Sequence, residues 1–308
     1  MNQRKVKIIL NPMADMGSAW RAANALRPIL AEHGHADWSG TVYPTHATEL
    51  ARQAALDGYN LVIAMGGDGT VHEVVNGLMQ VPASQRPILG VVPVGSGNDF
   101  AHALGLPSQA DHALAHALQG EASPIDIGLM TDENGRQEYF DNTFGIGFDA
   151  VVTIRSHKLP LLRGFVMYLT AVLQTIFLNH NSAHLKIEVD GEKWEAEALM
   201  FAVCNGPREG GGFIIAPQAN MEDALFDYCM VKQCGRLTML RLLPEFMQGT
   251  HPGFPQVRMG QGKSLSIQAD RPLYIHADGE IYTSFGSNLK SLQIELISNG
   301  LQVIKGMS

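Results

Sequence analysis

The stretch that most constrains the fold is Asn60–Thr70, NLVIAMGGDGT. Leu61–Met65 is a short apolar run with two β-branched residues, long enough for a buried strand of a parallel sheet and too short for a helix. It ends at GGDGT, where three glycines in four positions let the backbone turn sharply and approach an anion. Thr70 then starts a helix whose positive end favours phosphate. The stretch predicts strand, phosphate loop and helix; the alternative is an ordinary glycine-rich turn.

A second glycine-rich turn follows the next predicted strand. Pro87–Val92 is apolar and runs into PVGSGNDF at 93–100, which opens another helix. Two such loops at the ends of neighbouring parallel strands converge on one crevice, the usual place for a nucleotide in an open α/β sheet. Asp68, in the first loop, is a carboxylate that can hold Mg²⁺.

The remaining patterns divide the chain into two kinds of structure. Before about residue 120 they alternate between strands and helices. Two further strands are predicted at Val6–Leu10 and Thr41–Tyr43. The predicted helices are Ala19–His33, kinked at Pro28, a helix capped by Thr45 or Thr48 that runs to Leu56, Thr70–Met79 and Gln109–Leu118. Beyond Ile125 the apolar runs are short and alternating, with a hairpin signal at Asp132–Arg136. The predicted strands there are Glu138–Phe148, Leu185–Val189, Trp194–Cys204, Phe226–Val231, Ser264–Ala269, Leu273–Ala277 and Leu292–Ile297. This order predicts an α/β domain with a parallel sheet, a boundary at 120–130, and an antiparallel sandwich or barrel.

Composition excludes several classes of protein. The 308 residues suffice for two domains, and a net charge of −8 argues against sequence-independent nucleic-acid binding. Three cysteines without a CxxC pair favour neither a disulfide framework nor a zinc site. The apolar run Ile8–Leu10 is too short for a signal peptide, and Gly164–Leu178 is too short to span a bilayer. We therefore expect a soluble cytoplasmic protein.

Together the motifs resemble the diacylglycerol kinase catalytic-domain family, in the compact bacterial lipid-kinase form that is similar to sphingosine and ceramide kinases. GGDGT alone is shared with NAD kinases and phosphofructokinase-like enzymes, so the later motifs carry the specificity. The resemblance rests on Asn11-Pro12, GGDGT with Asn76, PVGSGNDF, GIGFDA at 145–150, NGPREGGGFIIAPQANMEDALFD at 205–227, and Asp278-Gly279-Glu280.

The resemblance implies an ATP-dependent kinase of a lipid hydroxyl. It implies a Rossmann-like nucleotide-binding domain of NAD-kinase and diacylglycerol-kinase type over residues 1–125, and an all-β sandwich that takes the lipid over 126–290. A C-terminal segment, 291–308, is expected to pack back on the first domain. The lipid is expected in the cleft against the sandwich.

The resemblance also implies which residues contact the nucleotide. Ser96 stands where the family usually has threonine, and its hydroxyl survives that exchange. The implied nucleotide contacts are Asn11, Thr45, Gly66, Gly67, Asp68, Gly69, Thr70, Val71, His72, Gly95, Ser96, Gly97 and Asn98.

Acidic residues at two places, the metal ligands and the candidate base, complete the implied site. Asp223, with main-chain carbonyls near Asn220 and Leu225, matches a structural magnesium ligand of the family, although Ala224 replaces the usual glycine. Asp68 is the implied metal ligand at the phosphates, and Glu280 is the candidate base, with Asp278 as the alternative. Without the family match, Asp278-Gly279-Glu280 reads as a hairpin closure.

Several substrates remain open at this stage. Diacylglycerol is the first expectation, followed by another lipid alcohol such as phosphatidylglycerol or a sphingoid base. A second enzyme alternative is a kinase of a soluble alcohol such as NAD. An alternative from another class is a nucleotide-sensing protein without turnover. A homodimer is also open.

One segment predicts contact with membranes. Ala150–Ile187 has no Asp or Glu, whereas Arg155, Lys158, Arg163 and Lys186 give it a charge of +4. An apolar helix flanked by cations can dock on anionic headgroups, and a core helix with surface cations is the alternative. The segment predicts transient, salt-sensitive binding to anionic membranes.

Overall fold

The chain divides into two compact units in a computed structural model that describes residues 4–33, 35–159 and 162–306. The first unit runs to Asp126 and includes the segment from Ser298 onward, and the second unit comprises Ile127–Ile297. Strands β5 (Ala122–Asp132) and β17 (Ser291–Ile304) pass through the two chain positions at which the units divide.

The first unit alternates strands with helices. Its other elements, in chain order, are β1 (Val6–Leu10), α1 (Ala14–His33), β2 (Ala36–Gly40), α2 (His46–Leu56), β3 (Leu61–Gly66), α3 (Asp68–Met79), β4 (Ile88–Pro93), α4 (Asp99–Ala103) and α5 (Ala110–Gln119).

The strands of the first unit form a parallel sheet in the order β4-β3-β1-β2. Successive side chains point to opposite faces, and both faces are covered. Ile8 and Ile63 pack in the core shared with α1 and α5, while their neighbours Ile9 and Val62 are also fully buried. This explains why the predicted strands are continuously apolar, and it confirms the parallel α/β class. The end of β17 adds a parallel bridge from Val303 to Leu89 of β4.

One predicted strand of this unit is wrong. Thr41–Tyr43 has high strand propensity, but the second strand is Ala36–Gly40, and Val42 and Tyr43 lie exposed in the following loop. Pairing with β1 decides the outcome, because the register sets Val6 opposite Ala36 and Leu10 opposite Gly40. Tertiary pairing overrides local propensity here.

The second unit is mainly antiparallel. Its elements after β5 are β6 (Gln137–Phe140), β7 (Thr143–Gly147), α6 (Phe148–Ser156), α7 (Gly164–Leu178), β8 (Ala183–Val189), β9 (Glu192–Cys204), β10 (Arg208–Glu209), β11 (Phe213–Ile214), β12 (Phe226–Lys232), α8 (Arg236–Gln248), β13 (Val257–Gly262), β14 (Ser264–Ala269), β15 (Ile275–Ala277) and β16 (Glu280–Thr283).

Strand β9 organises this unit because it pairs antiparallel with β7, β8 and β12. Its alternate side chains enter two cores. Phe201 and Val203 pack in a core made by strands, whereas Ala202 and Cys204 pack in a core with residues of α6, α7 and α8. The alternation is that of a sheet covered on both faces, and the predicted β-sandwich class is confirmed.

Two predicted strands of the second unit differ from those observed. Glu138–Phe148 is not one strand, because the chain leaves β6 at Phe140, re-enters the sheet as β7 and turns into α6 at Phe148. Gly147, at φ 81°, makes that last turn. Leu292–Ile297 belongs to the first half of a longer strand, which begins at Ser291 and continues to Ile304.

Within the described ranges, no helix combines the length and the apolar character needed to cross a bilayer.

Candidate active site

The first glycine loop joins β3 to α3 as predicted, although the helix already begins at Asp68. A Cβ on Gly66 would come within 2.2 Å of Thr70 Oγ1, so only glycine fits against the first turn of the helix. The side-chain amide of Asn11 donates to the same Thr70 hydroxyl at 3.2 Å. The N–H groups of Thr70 and Val71 both donate to the Gly67 carbonyl and close the first turn.

The second glycine loop packs directly on the first. A Cβ on Gly95 would come within 2.3 Å of the Gly67 Cα atom, so the close approach of the two loops depends on both glycines. Asn98, at φ 55°, accepts the Gly95 N–H at 3.0 Å and donates its amide to the Gly95 carbonyl at 2.8 Å. The predicted convergence of the two loops on one place therefore holds within the first unit.

Asp68 connects these loops through its carboxylate. Its Oδ1 atom accepts the N–H of Phe100 at 3.1 Å, at the start of α4. A carboxylate at a helix N-terminus is electrostatically favourable there. Asp68 is thus held at the junction of both loops by a structural hydrogen bond.

Of the other implied nucleotide contacts, two are buried. Val71 and His72 lie inside α3, and the side chain of Asn76 donates to the His72 carbonyl at 3.0 Å. Ser96 is exposed in the second loop, and Gly97 is half-buried beside it.

Thr45 lies at the N-terminus of α2, but its side chain does not cap the helix as predicted. The cap comes from Glu73 of α3, whose carboxylate accepts the N–H groups of Thr45 at 2.8 Å and Ala47 at 2.9 Å. Thr45 has φ 70° and ψ 0°, a left-handed conformation that costs a β-branched residue about 1–3 kcal/mol. The Thr48 hydroxyl donates to the Glu73 carbonyl at 2.9 Å and adds a further contact between the helices.

The acidic turn of the second unit separates its two carboxylates. Asp278 and Gly279, at φ 51° and 79°, form the two-residue turn between β15 and β16, in which Ala277 pairs with Glu280. Asp278 is buried, and its carboxylate accepts N–H groups from Asp141, Asn142 and Thr143 at 2.9–3.0 Å. Glu280 is exposed at the first position of β16.

A buried polar cluster lies next to this turn in sequence. Nε2 of His276 lies 3.0 Å from Asp149 Oδ2 and 3.4 Å from Glu209 Oε1. The Tyr168 hydroxyl oxygen lies within hydrogen-bond distance of the same two carboxylates, at 3.0 Å from Asp149 Oδ1 and 3.1 Å from Glu209 Oε1. Burial alone would lower the pKa of His276, but the negative charges of Glu209 and Asp149 outweigh it and raise the pKa to about 9. Burial, followed by the charges of Asp149 and Glu209, raises the pKa of Tyr168 well above its usual value.

This cluster was not predicted from the sequence. Its only sequence signal is the glycine pattern of GIGFDA, because a Cβ on Gly145 would come within 2.1 Å of His276 Nε2 and 2.3 Å of Asp149 Oδ2. Asp149, Glu209 and His276 could also coordinate a metal, since their ligand atoms lie within 4.8 Å of one another. A metal would have to replace the proton of His276, because a protonated imidazole is a donor and not a metal ligand.

The implied structural metal ligands share one exposed turn of the second unit. Asp223 Oδ1 accepts the Leu225 N–H at 3.0 Å, and Asn220 Oδ1 accepts the Glu222 N–H at 3.1 Å. Ala224 has φ 58°, which explains why the family usually has glycine there. Burial, and then the nearby Asp223 charge, raises the pKa of Asp227, which Gln261 partly counteracts. Carboxylate and carbonyl oxygens on one turn suit Mg²⁺ or Ca²⁺.

Comparison with known proteins assigns both units. Residues 5–130 match the sequence model of the diacylglycerol kinase catalytic domain, and residues 142–304 match the YegS C-terminal NAD kinase beta sandwich-like domain. The chain belongs to the diacylglycerol kinase catalytic-domain family. It is therefore a lipid kinase, and the family implies ATP as phosphoryl donor.

Individual members of the family agree with this assignment. A diacylglycerol kinase of Bacillus subtilis is 30% identical over 283 residues, 90% of each chain. A protein of Chromohalobacter salexigens named "Probable lipid kinase YegS-like" is 34% identical over 75% of this chain and 73% of its own. A crystal structure of a diacylglycerol kinase from Bacillus anthracis, 24% identical, shares the fold with a TM-score of 0.76 over 99% of this chain and 98% of its own.

Proposed function

We propose that this kinase transfers the γ-phosphate of ATP to the free hydroxyl of diacylglycerol and forms phosphatidic acid. The observation that supports the ATP-binding part of this proposal is the contact between the two glycine loops. Asp68 connects these loops through its hydrogen bond with the Phe100 N–H. The choice of acceptor is supported by the Bacillus subtilis relative, which bears the name diacylglycerol kinase.

In the proposed reaction the first unit holds the nucleotide. Phosphoryl transfer needs little covalent help from the protein, so the main contributions are positioning and charge stabilisation. Backbone N–H groups of residues 67–69 and 96–98, with the positive end of α3, would bind the phosphates. Asn11 and Thr45 would contact the rest of the nucleotide, with Ser96 as an exposed hydroxyl in the second loop.

Magnesium would be held by oxygen ligands at two places. Asp68 would bind the ion that accompanies the phosphates, which neutralises charge on the transferred group. Asp223, with carbonyls near Asn220 and Leu225, would bind a second, structural ion. The donor set of that turn fits a hard divalent cation, because each donor is an oxygen.

Glu280 is the proposed general base. Asp278 already accepts hydrogen bonds from the backbone N–H groups of residues 141–143, which indicates a structural role. Glu280 is exposed at the start of β16. It follows a turn that hydrogen bonds between Asp278 and Thr143 hold against β7. A glutamate in that position would take the proton of the attacking lipid hydroxyl.

The second unit also carries a surface suited to membranes. Val166, Leu173 and Phe177 lie on one side of α7 by their helical spacing, and Leu178 follows them; all four are exposed. Lys158 and Arg163 are exposed and precede this helix in the chain. We call these six residues the α7 face, and we propose that it docks reversibly on anionic lipid headgroups.

The structure removes two of the four cations from this proposal. Arg155 is half-buried and donates to the side chain of Asn179, which ties α6 to the end of α7. Lys186 lies on β8 and pairs with Glu195 at 3.8 Å. Of the four, the exposed cations that remain next to α7 are Lys158 and Arg163.

The function is tested by incubating the purified protein with γ-labelled ATP, Mg²⁺ and one acceptor at a time. The acceptors are diacylglycerol, phosphatidylglycerol and sphingosine in mixed micelles, and NAD in solution. We expect label chiefly in phosphatidic acid. Label chiefly in another lipid would change the acceptor, label in NAD would overturn the lipid assignment, and nucleotide binding without any labelled product would support a sensor.

A further inference from the structure

The side chain of Glu73 connects the second turn of α3 with the loop before α2. It leaves α3 five residues after Asp68, and its two carboxylate oxygens receive separate N–H groups, from Thr45 at 2.8 Å and from Ala47 at 2.9 Å. Hydrogen bonds to a carboxylate are stronger than neutral ones, and two of them fix direction as well as distance. One side chain therefore sets the position of the loop relative to α3.

The loop needs such a restraint because of its conformation. Thr45 is left-handed at φ 70°, which a β-branched side chain rarely adopts without support from its surroundings. Its side chain is exposed and makes no capping hydrogen bond. Glu73 thus supplies the cap that Thr45 would supply in an ordinary helix start, and the threonine side chain remains at the surface.

We infer that Glu73 is a nucleotide-positioning residue: it holds Thr45 at a fixed place relative to the 66–70 phosphate loop and thereby sets the affinity for ATP. The inference rests on the proposed function, in which Thr45 and the phosphate loop contact the same nucleotide. Glu73 touches neither substrate in this scheme. Its effect passes through the backbone of Thr45.

The test measures the Kd of a non-hydrolysable ATP analogue with Mg²⁺ by calorimetry, beside KM for ATP, KM for lipid and kcat. Glu73→Gln keeps one acceptor oxygen and replaces the other with a donor, so one of the two N–H groups loses its partner. We expect the Kd and KM for ATP to rise about tenfold, with kcat at saturating ATP and KM for lipid within about twofold of wild type.

Two further variants separate positioning from a general loss of structure. Thr48→Ala removes the Thr48–Glu73 contact between the same helices but leaves the Thr45 N–H bonded, so it should lower the melting temperature without changing the Kd for ATP. Glycine adopts φ 70° without strain, so a Thr45→Gly background should reduce the effect of Glu73→Gln on the Kd to less than about threefold.

The possible results are distinguishable. An unchanged Kd in well-folded Glu73→Gln, an equal rise in Thr48→Ala, or a full tenfold effect of Glu73→Gln in the Thr45→Gly background would each overturn the inference. Absence of nucleotide binding by wild type would instead overturn the proposed function. Circular dichroism and thermal melts establish folding for each variant.

Discussion

Asp278 and Thr143 exchange two hydrogen bonds. The N–H of Asp278 donates to the Thr143 carbonyl at 2.7 Å, and the N–H of Thr143 donates to Asp278 Oδ1 at 2.9 Å. This exchange fixes the Asp-Gly turn against β7, and Asp141 and Asn142 add two more N–H groups to the same carboxylate. The two acidic residues of the turn should therefore respond differently to loss of their charge.

Glu280→Gln should keep nucleotide affinity and stability but lower kcat by about 10²–10⁴-fold, because the amide cannot accept the hydroxyl proton. The measurement is kcat with saturating ATP and lipid, beside the Kd of an ATP analogue. Glu295→Gln, the same change on β17, serves as a charge control. A kcat within tenfold of wild type would exclude Glu280 as the base.

Asp278→Asn should mainly destabilise the second unit. The amide oxygen can accept some of the three N–H groups, but the amide nitrogen that replaces the other oxygen faces a donor, with an expected loss of about 2 kcal/mol in the free energy of unfolding. Denaturant unfolding measures this loss. Should Asp278→Asn remain fully stable and lose more turnover than Glu280→Gln, the roles of the two residues would be exchanged.

Asp68 is expected to be essential for transfer. Asp68→Ala removes both the proposed metal ligand and the acceptor for Phe100 N–H, so a lower stability would complicate its loss of activity. Asp68→Asn keeps an oxygen for Phe100 but lacks the charge that Mg²⁺ needs, and it should abolish transfer without lowering the melting temperature. Turnover near the wild-type rate in either folded variant would end the assignment.

The sequence predicted elements whose own residues decide their structure. Leu61–Met65 is apolar throughout because both faces of the sheet are covered, and Asp57-Gly58 ends α2 as expected, with Gly58 at φ 73°. The second strand was missed because β2, ADWSG, owes its place to pairing with β1 and has little strand propensity of its own.

In the site, too, features set by local sequence could be predicted and features set by tertiary contacts could not. The two glycine loops could be recognised because glycine is required wherever backbone or side chains approach closely, as at Gly66 and Gly95. The cap from Glu73 to Thr45 could not be predicted, since it joins residues 28 positions apart through a contact that no local pattern encodes. The cluster of His276, Asp149, Glu209 and Tyr168 is formed by four separate segments and depends on their packing.

The buried His276 predicts a pH dependence of stability. Its pKa of about 9 in the folded chain exceeds the ordinary 6.5, so its stabilisation is fully present below pH 6.5 and is lost as pH rises through 9. At about 1.4 kcal/mol per pKa unit, the loss is as much as about 3 kcal/mol. The check is denaturant unfolding between pH 6.5 and 9, followed by Trp194 fluorescence in a Trp20→Phe, Trp38→Phe background so that only the second unit reports.

Glu209→Gln provides the matched comparison for that pH series. It removes one of the carboxylates that raise the pKa of His276 but leaves Asp149 and Asp278, so the pH dependence should become smaller. Equal slopes for the two proteins would show that this ion pair does not control the stability of the second unit between these pH values.

The α7 face predicts salt-sensitive binding to vesicles of phosphatidylglycerol and phosphatidylcholine. Each basic residue near an anionic surface contributes about 1 kcal/mol, so Lys158→Glu with Arg163→Glu should weaken binding at low salt by at least about 30-fold. Phe177→Ser should weaken binding at every salt concentration, because it removes apolar area rather than charge. Co-sedimentation over a salt series measures both effects.

Lys186→Glu is the control for charge alone. Lys186 belongs to the same acid-free segment but lies on β8 and pairs with Glu195. Its reversal changes the net charge as much as either single reversal, Lys158→Glu or Arg163→Glu, without touching the α7 face. We expect this variant to bind vesicles nearly as well as wild type. If Lys186→Glu weakened binding as much as either reversal in the α7 face, general electrostatic attraction would explain docking; if the double variant bound like wild type at low salt, the α7 face would not be the docking surface.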